Sequence, residues 1–302
     1  MYTGGGNFAI QAPVKIGTFN LQGGNVTIYD AATFSSAFSV PSNSFVISQA
    51  MAVVLMAQGI SGAGSIIAEG TSLTLGSTEL TGSFAASSGV VVFAAESHLV
   101  TLIVDGAVVS SSVQQVVDNL MLVSGSLHGP SNFTAAKAVI AASGFNVNTS
   151  LVFQGNVSAV DSIVTCASPY GMITFEKGST FTVSGTTQII GIIYGDNVVV
   201  NHGAILVSGT LAFDEIDLSG SGYVEVAGTL AVTSNRVNQT HVTLSENGVF
   251  KGTTAEIAWI SNIFGTPSVV VVEGGITFSC GEACSDVYVR NEKNFHFELG
   301  AH

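Results

Sequence analysis

Charged residues are scarce in this sequence of 302 residues, where they make up 9% of the chain, against roughly a quarter of an ordinary soluble domain. Only 7 residues are Lys or Arg and 20 are Asp or Glu, so the net charge is −13. Nucleic-acid binding is excluded, because it needs clustered basic residues. The hydrophobic fraction of 47% excludes intrinsic disorder, and the composition lacks the bias of a coiled coil.

Long apolar runs are also missing. The purest apolar segment, residues 50–57, has eight residues, whereas a membrane-spanning helix needs about 20. We therefore expect no transmembrane segment. Residues 1–17 have neither the basic region nor the apolar core of a signal peptide. This leaves a chain numbered from a mature end, another route of export, or a cytoplasmic protein.

Cysteine is rare, with 3 residues in the chain. Cys280 and Cys284 are close enough in sequence to form a local disulfide in an oxidising compartment. The pair alone offers too few ligands for a structural zinc site. Cys166 lies in an apolar segment and is predicted to be a small buried side chain.

The dominant positive signal is alternation of apolar and polar residues, interrupted by glycine. Four stretches share this plan, each with a Gly-Thr or Gly-Ser pair at its centre: residues 65–76, 172–185, 204–213 and 223–232. Such alternation is typical of strands with one buried face. The apolar residues predicted to point inward in the last two stretches are Ile205, Val207, Leu211, Phe213, Val224, Val226, Leu230 and Val232.

The glycine spacing favours a parallel β-solenoid. Gly209 and Gly228 lie 19 residues apart, and Gly178 and Gly209 lie 31 apart, as expected for coils of about 20 residues with insertions. Stacked coils pair strands that are too short to be stable alone, and rare proline suits an uninterrupted ladder. We predict an all-β fold, a parallel β-solenoid with irregular insertions. The alternative is a β-sandwich or jelly-roll pair, whose hairpins would need more Asn-Gly or Asp-Gly turns than Asp105-Gly106 and Asn247-Gly248.

Three segments are less regular: residues 49–58, 108–123 and 131–144. The last two could form short helices, although additional strand is the favoured interpretation. The change in pattern near residues 124–150 suggests an N-terminal β-rich lobe over 1–130 and a solenoid lobe over 131–302, unless the two form one continuous domain. The charged segment 286–299 is predicted to cap the C-terminal end.

No constellation of residues points to catalysis. Asp214, Glu215 and Asp217 could bind a cation or act as a carboxylate pair, but we expect solvated residues on an insertion, as acidic groups commonly are. The 6 His residues show no metal-binding spacing, and no nucleophile elbow or phosphate loop is present. The sequence therefore predicts a protein that is not an enzyme and needs no cofactor or metal.

Asn-x-Ser/Thr sequons make N-glycosylation a hypothesis. The candidate acceptors are Asn25, Asn132, Asn148, Asn156 and Asn238.

The repeated segments resemble those of β-helical surface proteins. Residues 204–213 and 223–232, with their Gly-Thr-Leu units, are similar to repeats of bacterial autotransporter passengers and filamentous adhesins over about residues 165–250. The resemblance implies a location outside the cell or on its surface, and an adhesive or filament-forming role.

Three functions are compatible with the sequence. The first is a non-enzymatic extracellular structural protein that self-assembles into a filament or surface layer, because a neutral Ser/Thr/Val surface is easily buried against a copy of itself. The second is a carbohydrate-binding or carbohydrate-cleaving β-helix protein with a groove that holds carboxylates. The third is a soluble cell-surface adhesin that binds its target through loops such as 124–150.

Overall fold

A computed structural model of the chain describes residues 2–49, 52–166 and 170–191. Beyond these it describes residues 199–201, 203–213, 216–218, 223–226, 229–232, 237–239, 242–244, 249–252, 259–264, 269–273, 277–280, 288–290 and 296–299. In this part of the chain all regular structure is β-strand, and no helix is long and apolar enough to cross a membrane.

The chain divides into two compact units. Unit 1 comprises Met1–Val139 and Phe145–Ser150, and unit 2 comprises Ile140–Gly144 and Leu151–His302. The predicted lobes at 1–130 and 131–302 stay a prediction.

Seventeen strands form the first part of the chain. They are β1 (Tyr2–Gly5), β2 (Phe8–Ile10), β3 (Val14–Ile16), β4 (Phe19–Gly23), β5 (Asn25–Ile28), β6 (Ala32–Phe34), β7 (Phe38–Val40), β8 (Phe45–Ser48), β9 (Val53–Met56), β10 (Ile60–Gly62), β11 (Ser65–Ala68), β12 (Thr71–Leu75), β13 (Thr78–Ala86), β14 (Gly89–Phe93), β15 (Ser97–Ser111), β16 (Gln115–Ile140) and β17 (Phe145–Phe153).

The strands that follow belong to unit 2. They are β18 (Asn156–Val160), β19 (Ile163–Cys166), β20 (Met172–Phe175), β21 (Thr180–Ser184), β22 (Thr186–Gly191), β23 (Val199–Asn201), β24 (Ala204–Val207), β25 (Thr210–Phe213), β26 (Ile216–Leu218), β27 (Tyr223–Val226), β28 (Thr229–Val232), β29 (Val237–Gln239), β30 (Val242–Leu244), β31 (Val249–Gly252), β32 (Trp259–Phe264), β33 (Val269–Glu273), β34 (Thr277–Cys280), β35 (Tyr288–Arg290) and β36 (His296–Leu299).

Both units are parallel β-solenoids, as the sequence predicted. In unit 1 each strand pairs in parallel with a strand about one coil later, for example β4 with β7, β5 with β8 and β6 with β9. Unit 2 follows the same rule, with β21 on β24 and β24 on β27. The sandwich alternative is wrong, because its sheets would be built from antiparallel hairpins.

Three strands per coil give unit 1 three faces. The first face contains β4, β7, β10 and residues 78–81, 97–100 and 115–118. The second contains β2, β5, β8, β11 and residues 83–86, 101–104 and 119–122. The third contains β3, β6, β9, β12, β14 and residues 108–111 and 126–128.

The inward-facing residues predicted in unit 2 are confirmed where their side chains are described. Ile205, Val207, Leu211 and Val224 are all buried. The two stretches also stack in the predicted register, since Ile205 pairs with Val224 and Leu211 pairs with Leu230. Phe213, Val226, Leu230 and Val232 keep this register in the backbone.

One predicted glycine equivalence is wrong. Gly209 does not lie one coil beyond Gly178, because Thr210 pairs with Thr186. A Cβ on Gly209 would overlap the backbone of Gly185, so these two glycines occupy the same corner of successive coils. The spacing of 31 residues compared two different corners and therefore did not measure a coil.

Phenylalanine rings in contact with one another fill part of the interior. In unit 1 the ring centroids of Phe34 and Phe38 are 5.4 Å apart, and those of Phe84 and Phe93 are 5.7 Å apart. In unit 2 the rings of Phe175 and Phe181 stack at 4.7 Å. Burial of these large rings is the main stabilising contribution available to such short strands.

A polar column lies inside one corner of unit 1. Ser97 Oγ accepts a hydrogen bond from the backbone N–H of Thr78 at 3.1 Å. One coil further, Gln115 Nε2 donates to the carbonyl oxygen of Ala95 at 3.0 Å and to Ser111 Oγ at 2.9 Å. These bonds satisfy backbone groups where the chain leaves one face for the next.

The irregular segments are mostly strand, as favoured from the sequence. Residues 108–111 lie in β15, residues 115–123 and 131–140 lie in β16, and β9 occupies part of 49–58. Asp105-Gly106 forms no hairpin: it lies within β15 at a shift of register, where Gly106 has a φ of 89°. Asn247-Gly248 lies outside the described residues.

Candidate functional site

The five predicted glycosylation acceptors differ in accessibility. Asn132 and Asn156 are exposed, whereas Asn25 is half-buried at the start of β5. Asn238 lies in β29, where the structure describes the backbone alone. Whether any of them carries a glycan stays a prediction.

Asn148 is held in a contact with its own unit. Its Nδ2 lies 3.1 Å from Nδ1 and 3.2 Å from Nε2 of His128, and its Oδ1 is buried without a hydrogen-bond partner. His128 Nε2 also lies 2.9 Å from Ser126 Oγ. A glycan on Asn148 would have to displace this contact, so the folded protein favours Asn132 and Asn156 as acceptors.

Ser126, His128 and Asn148 superficially form a nucleophile, a base and an orienting amide. Ser126 is buried, with 6% of its surface exposed. It pairs with Val108 of the preceding coil. Its hydroxyl therefore has no open approach for a substrate. The burial of Ser126 argues against a reactive centre formed by these three side chains.

Of the other predicted site residues, some have only their backbone described and some lie outside the described residues. Cys280 ends β34 and Asp217 lies in β26, and only their backbones are described. Cys284, Asp214 and Glu215 lie outside the described residues, so the disulfide and the cation site stay predictions. Cys166 is buried, as expected.

Charge is segregated among the three faces of unit 1. The strands of the second face contain no Asp, Glu, Lys or Arg, and the third face contains none between β6 and residue 111. The first face carries Glu79, His98 and Asp118. The remaining acidic residues of unit 1 lie between the faces: Asp30, Glu69, Glu96 and Asp105.

In-register stacking turns the outward positions into rows. On the second face one row consists of Thr27, Ile47, Ile67, Ala85, Ile103 and Met121. On the third face two rows run side by side, the first of Val53, Ser72, Val90 and Val108 and the second of Thr33, Leu55, Thr74, Val92 and Ser110. Adjacent members of a row are about 4.8 Å apart, the spacing of paired strands. Each row is therefore a continuous uncharged stripe.

The first face instead presents a cluster of ionisable groups. His98 Nε2 lies 2.9 Å from Asp118 Oδ1, and His98 Nδ1 lies 3.9 Å from Glu79 Oε2. The hydrogen bond to Asp118 raises the pKa of His98 above its ordinary value of 6.5. Desolvation opposes this rise, and the negative charges of Asp118 and Glu79 reinforce it. The cluster thus links three successive coils.

This cluster borders an open groove of about 320 Å³, which is also lined by Glu96, Ser97 and Gln114. The side chains of His98 and Asp118 are 47% and 43% exposed, so water screens their interaction. Among the described residues, no group of three or more His, Cys, Asp or Glu side chains is arranged to hold a metal ion. The groove can offer hydrogen bonds and negative charge to a ligand.

Sequence reasoning missed both the first-face cluster and the uncharged rows. The signal for the cluster was present, since Glu79, His98 and Asp118 follow one another at 19 and 20 residues, which is one coil. The rows were hidden because their members are ordinary Val, Ile, Ser and Thr residues until the register aligns them.

Comparison with known proteins gives no relative: no protein-family model, no curated protein and no solved structure matches this chain.

Proposed function

We propose that this protein is a non-enzymatic extracellular structural protein whose copies associate into a filament or surface layer. The observation that carries the proposal is the absence of Asp, Glu, Lys and Arg from the second face and from most of the third face of unit 1. A chain with a net charge of −13 repels its own copies. Faces without charge are the places where copies can approach without that penalty.

The described surface supports assembly more than catalysis. The outward rows of unit 1 contain Val, Ile, Leu and Met side chains beside Ser and Thr, a mixture that can be dehydrated at little cost. The one cluster of ionisable groups on the first face is exposed, and exposure leaves its side chains solvated. The exposed acceptors Asn132 and Asn156 would suit a protein that passes through a glycosylating compartment.

The proposal is tested by measuring the association of the purified protein. Sedimentation velocity and light scattering should show a mass that rises reversibly with concentration, and negative-stain electron microscopy should show chains or sheets of particles. A protein that stays monomeric up to about 1 mM, where even contacts of about 4 kcal/mol are half populated, would refute self-assembly. Intact mass of protein from its native source tests the extracellular location, because N-glycans add mass in units of hexose and N-acetylhexosamine.

A second function, carbohydrate binding or cleavage, is favoured by the groove on the first face, because two carboxylates, Glu79 and Glu96, line it beside His98. Sugar hydroxyls are good donors to carboxylates. Isothermal titration with neutral oligosaccharides would detect binding, and Glu79→Gln should weaken it. Binding that is unchanged in Glu79→Gln would remove the groove from consideration.

A further inference from the structure

The third face of unit 1 gathers exposed apolar side chains. Val53 is 60% exposed, Leu55 39%, Val90 41% and Val108 37%. They lie on β9, β14 and the third-face part of β15, and β12 completes the row between β9 and β14. We call these four residues, with Ser72 between Val53 and Val90, the valine patch.

The patch carries no charge and is flanked by none along its rows. Its outward neighbours on β6, β12 and β14 are Thr33, Thr74 and Val92. Lys15 appears only at the far end of one row, on β3, and His128 at the other end. The acidic residues of this unit therefore stay at the rim when the patch is covered by a flat partner.

We propose that the valine patch packs against the same patch of a second copy of this chain. This inference rests on the proposed function and adds the surface that performs it. A second copy is the occupant that the charges favour: two such faces bring no like charges together, whereas their acidic residues remain hydrated at the edges. A membrane surface would call for basic residues around the patch, and a sugar surface for aromatic side chains; the rows of the third face offer a single lysine, Lys15 at one end, and no aromatic side chain.

The area of the face predicts a weak contact. The six strands from β6 to residues 126–128, at a spacing of about 4.8 Å and a length of about 15 Å, give about 430 Å² per copy. This is about half of the 800 Å² that each partner buries in a standard stable interface. A single contact should therefore form only at high protein concentration, and stable assemblies require several contacts per subunit.

The shape of the patch suits two facing sheets. Val53 and Val90 flank the smaller Ser72 in one row, and Ser110 follows Val92 in the other. Packed sheets lie about 10 Å apart, with the side chains of one sheet between those of the other. The serine positions leave the space that valine side chains of the opposite copy need.

The test compares two valines that differ in their face but not in their exposure. Val90, in the patch, is 41% exposed, and Val116, on the first face, is 39% exposed. Val90→Lys places a positive charge in the contact and should raise the dissociation constant by about tenfold or more. Val116→Lys adds the same charge outside the contact and should change the constant by less than about threefold.

Chemical cross-linking gives a second measurement, which reports whether residue 90 lies close to the other copy. Val90→Cys, treated with a short bifunctional maleimide, should form covalent dimers in the assembled state, whereas Val116→Cys should form few. Far-UV circular dichroism confirms that each variant retains the wild-type strand content.

The outcomes separate this inference from the proposed function. If the wild type associates and Val116→Lys weakens association as much as Val90→Lys does, the patch is not the contact, although self-assembly stands. Association unaffected by Val90→Lys leads to the same conclusion. A wild type that never associates but binds vesicles or insoluble polysaccharide through Val90 would overturn both.

Discussion

Replacement of Gly59 by alanine is predicted to destabilise unit 1 strongly. Gly59 has a φ of 82°, and a Cβ there would overlap the backbone carbonyl of Ser77 in the next coil. The positive φ alone costs alanine about 1–2 kcal/mol. The overlap is with backbone, so no side-chain rotation relieves it, and separating the coils adds about 1–3 kcal/mol, as for overpacked sites. We expect a total loss of about 2–5 kcal/mol.

Gly6 provides the matched control within the same unit. Its φ is 111°, but a Cβ would meet no atom within 4 Å. Gly6→Ala should therefore lose only the conformational contribution of about 1–2 kcal/mol. Urea denaturation followed by far-UV circular dichroism measures both losses. Equal destabilisation by the two substitutions would refute the close approach of the coils at this corner.

Three further predictions concern the core, the first face and a corner of unit 2. Phe84→Ala removes a fully buried ring and should lower the free energy of unfolding by about 3–5 kcal/mol; a loss below about 1 kcal/mol in urea titrations would contradict the interior position. Because the pKa of His98 is raised in the folded protein, its bond to Asp118 stabilises the folded state fully below pH 6.5. This stabilisation is lost as the pH rises through the folded-state pKa. The effect should be at most about 0.5 kcal/mol because the pair is exposed, and it should vanish in His98→Asn when unfolding is compared at about pH 5.5 and about pH 8. Ser162→Ala leaves the backbone N–H of Ala142 without its acceptor and should cost about 1–3 kcal/mol, with faster amide exchange at that N–H; unchanged exchange would show that the bond does not form.

The alternation of apolar residues and the spacing of glycines were enough to predict the fold class. Alternation indicates strands with one buried face, and the glycine spacing indicates the length of a coil. The side chains of Ile205 and Val224 could be predicted to stack since they fall at the same place in two neighbouring segments of nearly equal sequence. The position of Gly209 over Gly185 could not be predicted in this way, because an insertion makes that coil longer. Pattern alone does not identify which corner a glycine occupies.

The candidate surfaces were harder to predict from the sequence than the fold was. The uncharged stretch from residue 31 to residue 68 was visible, but its division into faces depends on where the chain turns, as it does near Gly59. His98 gave no sign of its partners, since Glu79 and Asp118 are distant in sequence and adjacent only after coiling. The division into faces and the partners of His98 both depend on how the strands align between coils, which a single segment of sequence does not reveal.

The coils of unit 2 contain unequal amounts of chain. Thr180, Ala204 and Tyr223 occupy one position on three successive coils, although 24 residues separate the first two and 19 the last two. The ladder therefore depends on matching strands and is indifferent to the length of chain that joins them. Over generations a gene with this plan can gain or lose codons between strands, or duplicate a whole rung, without breaking a β-pair. Descendants of one ancestor can thus diverge in length and spacing while keeping the same architecture.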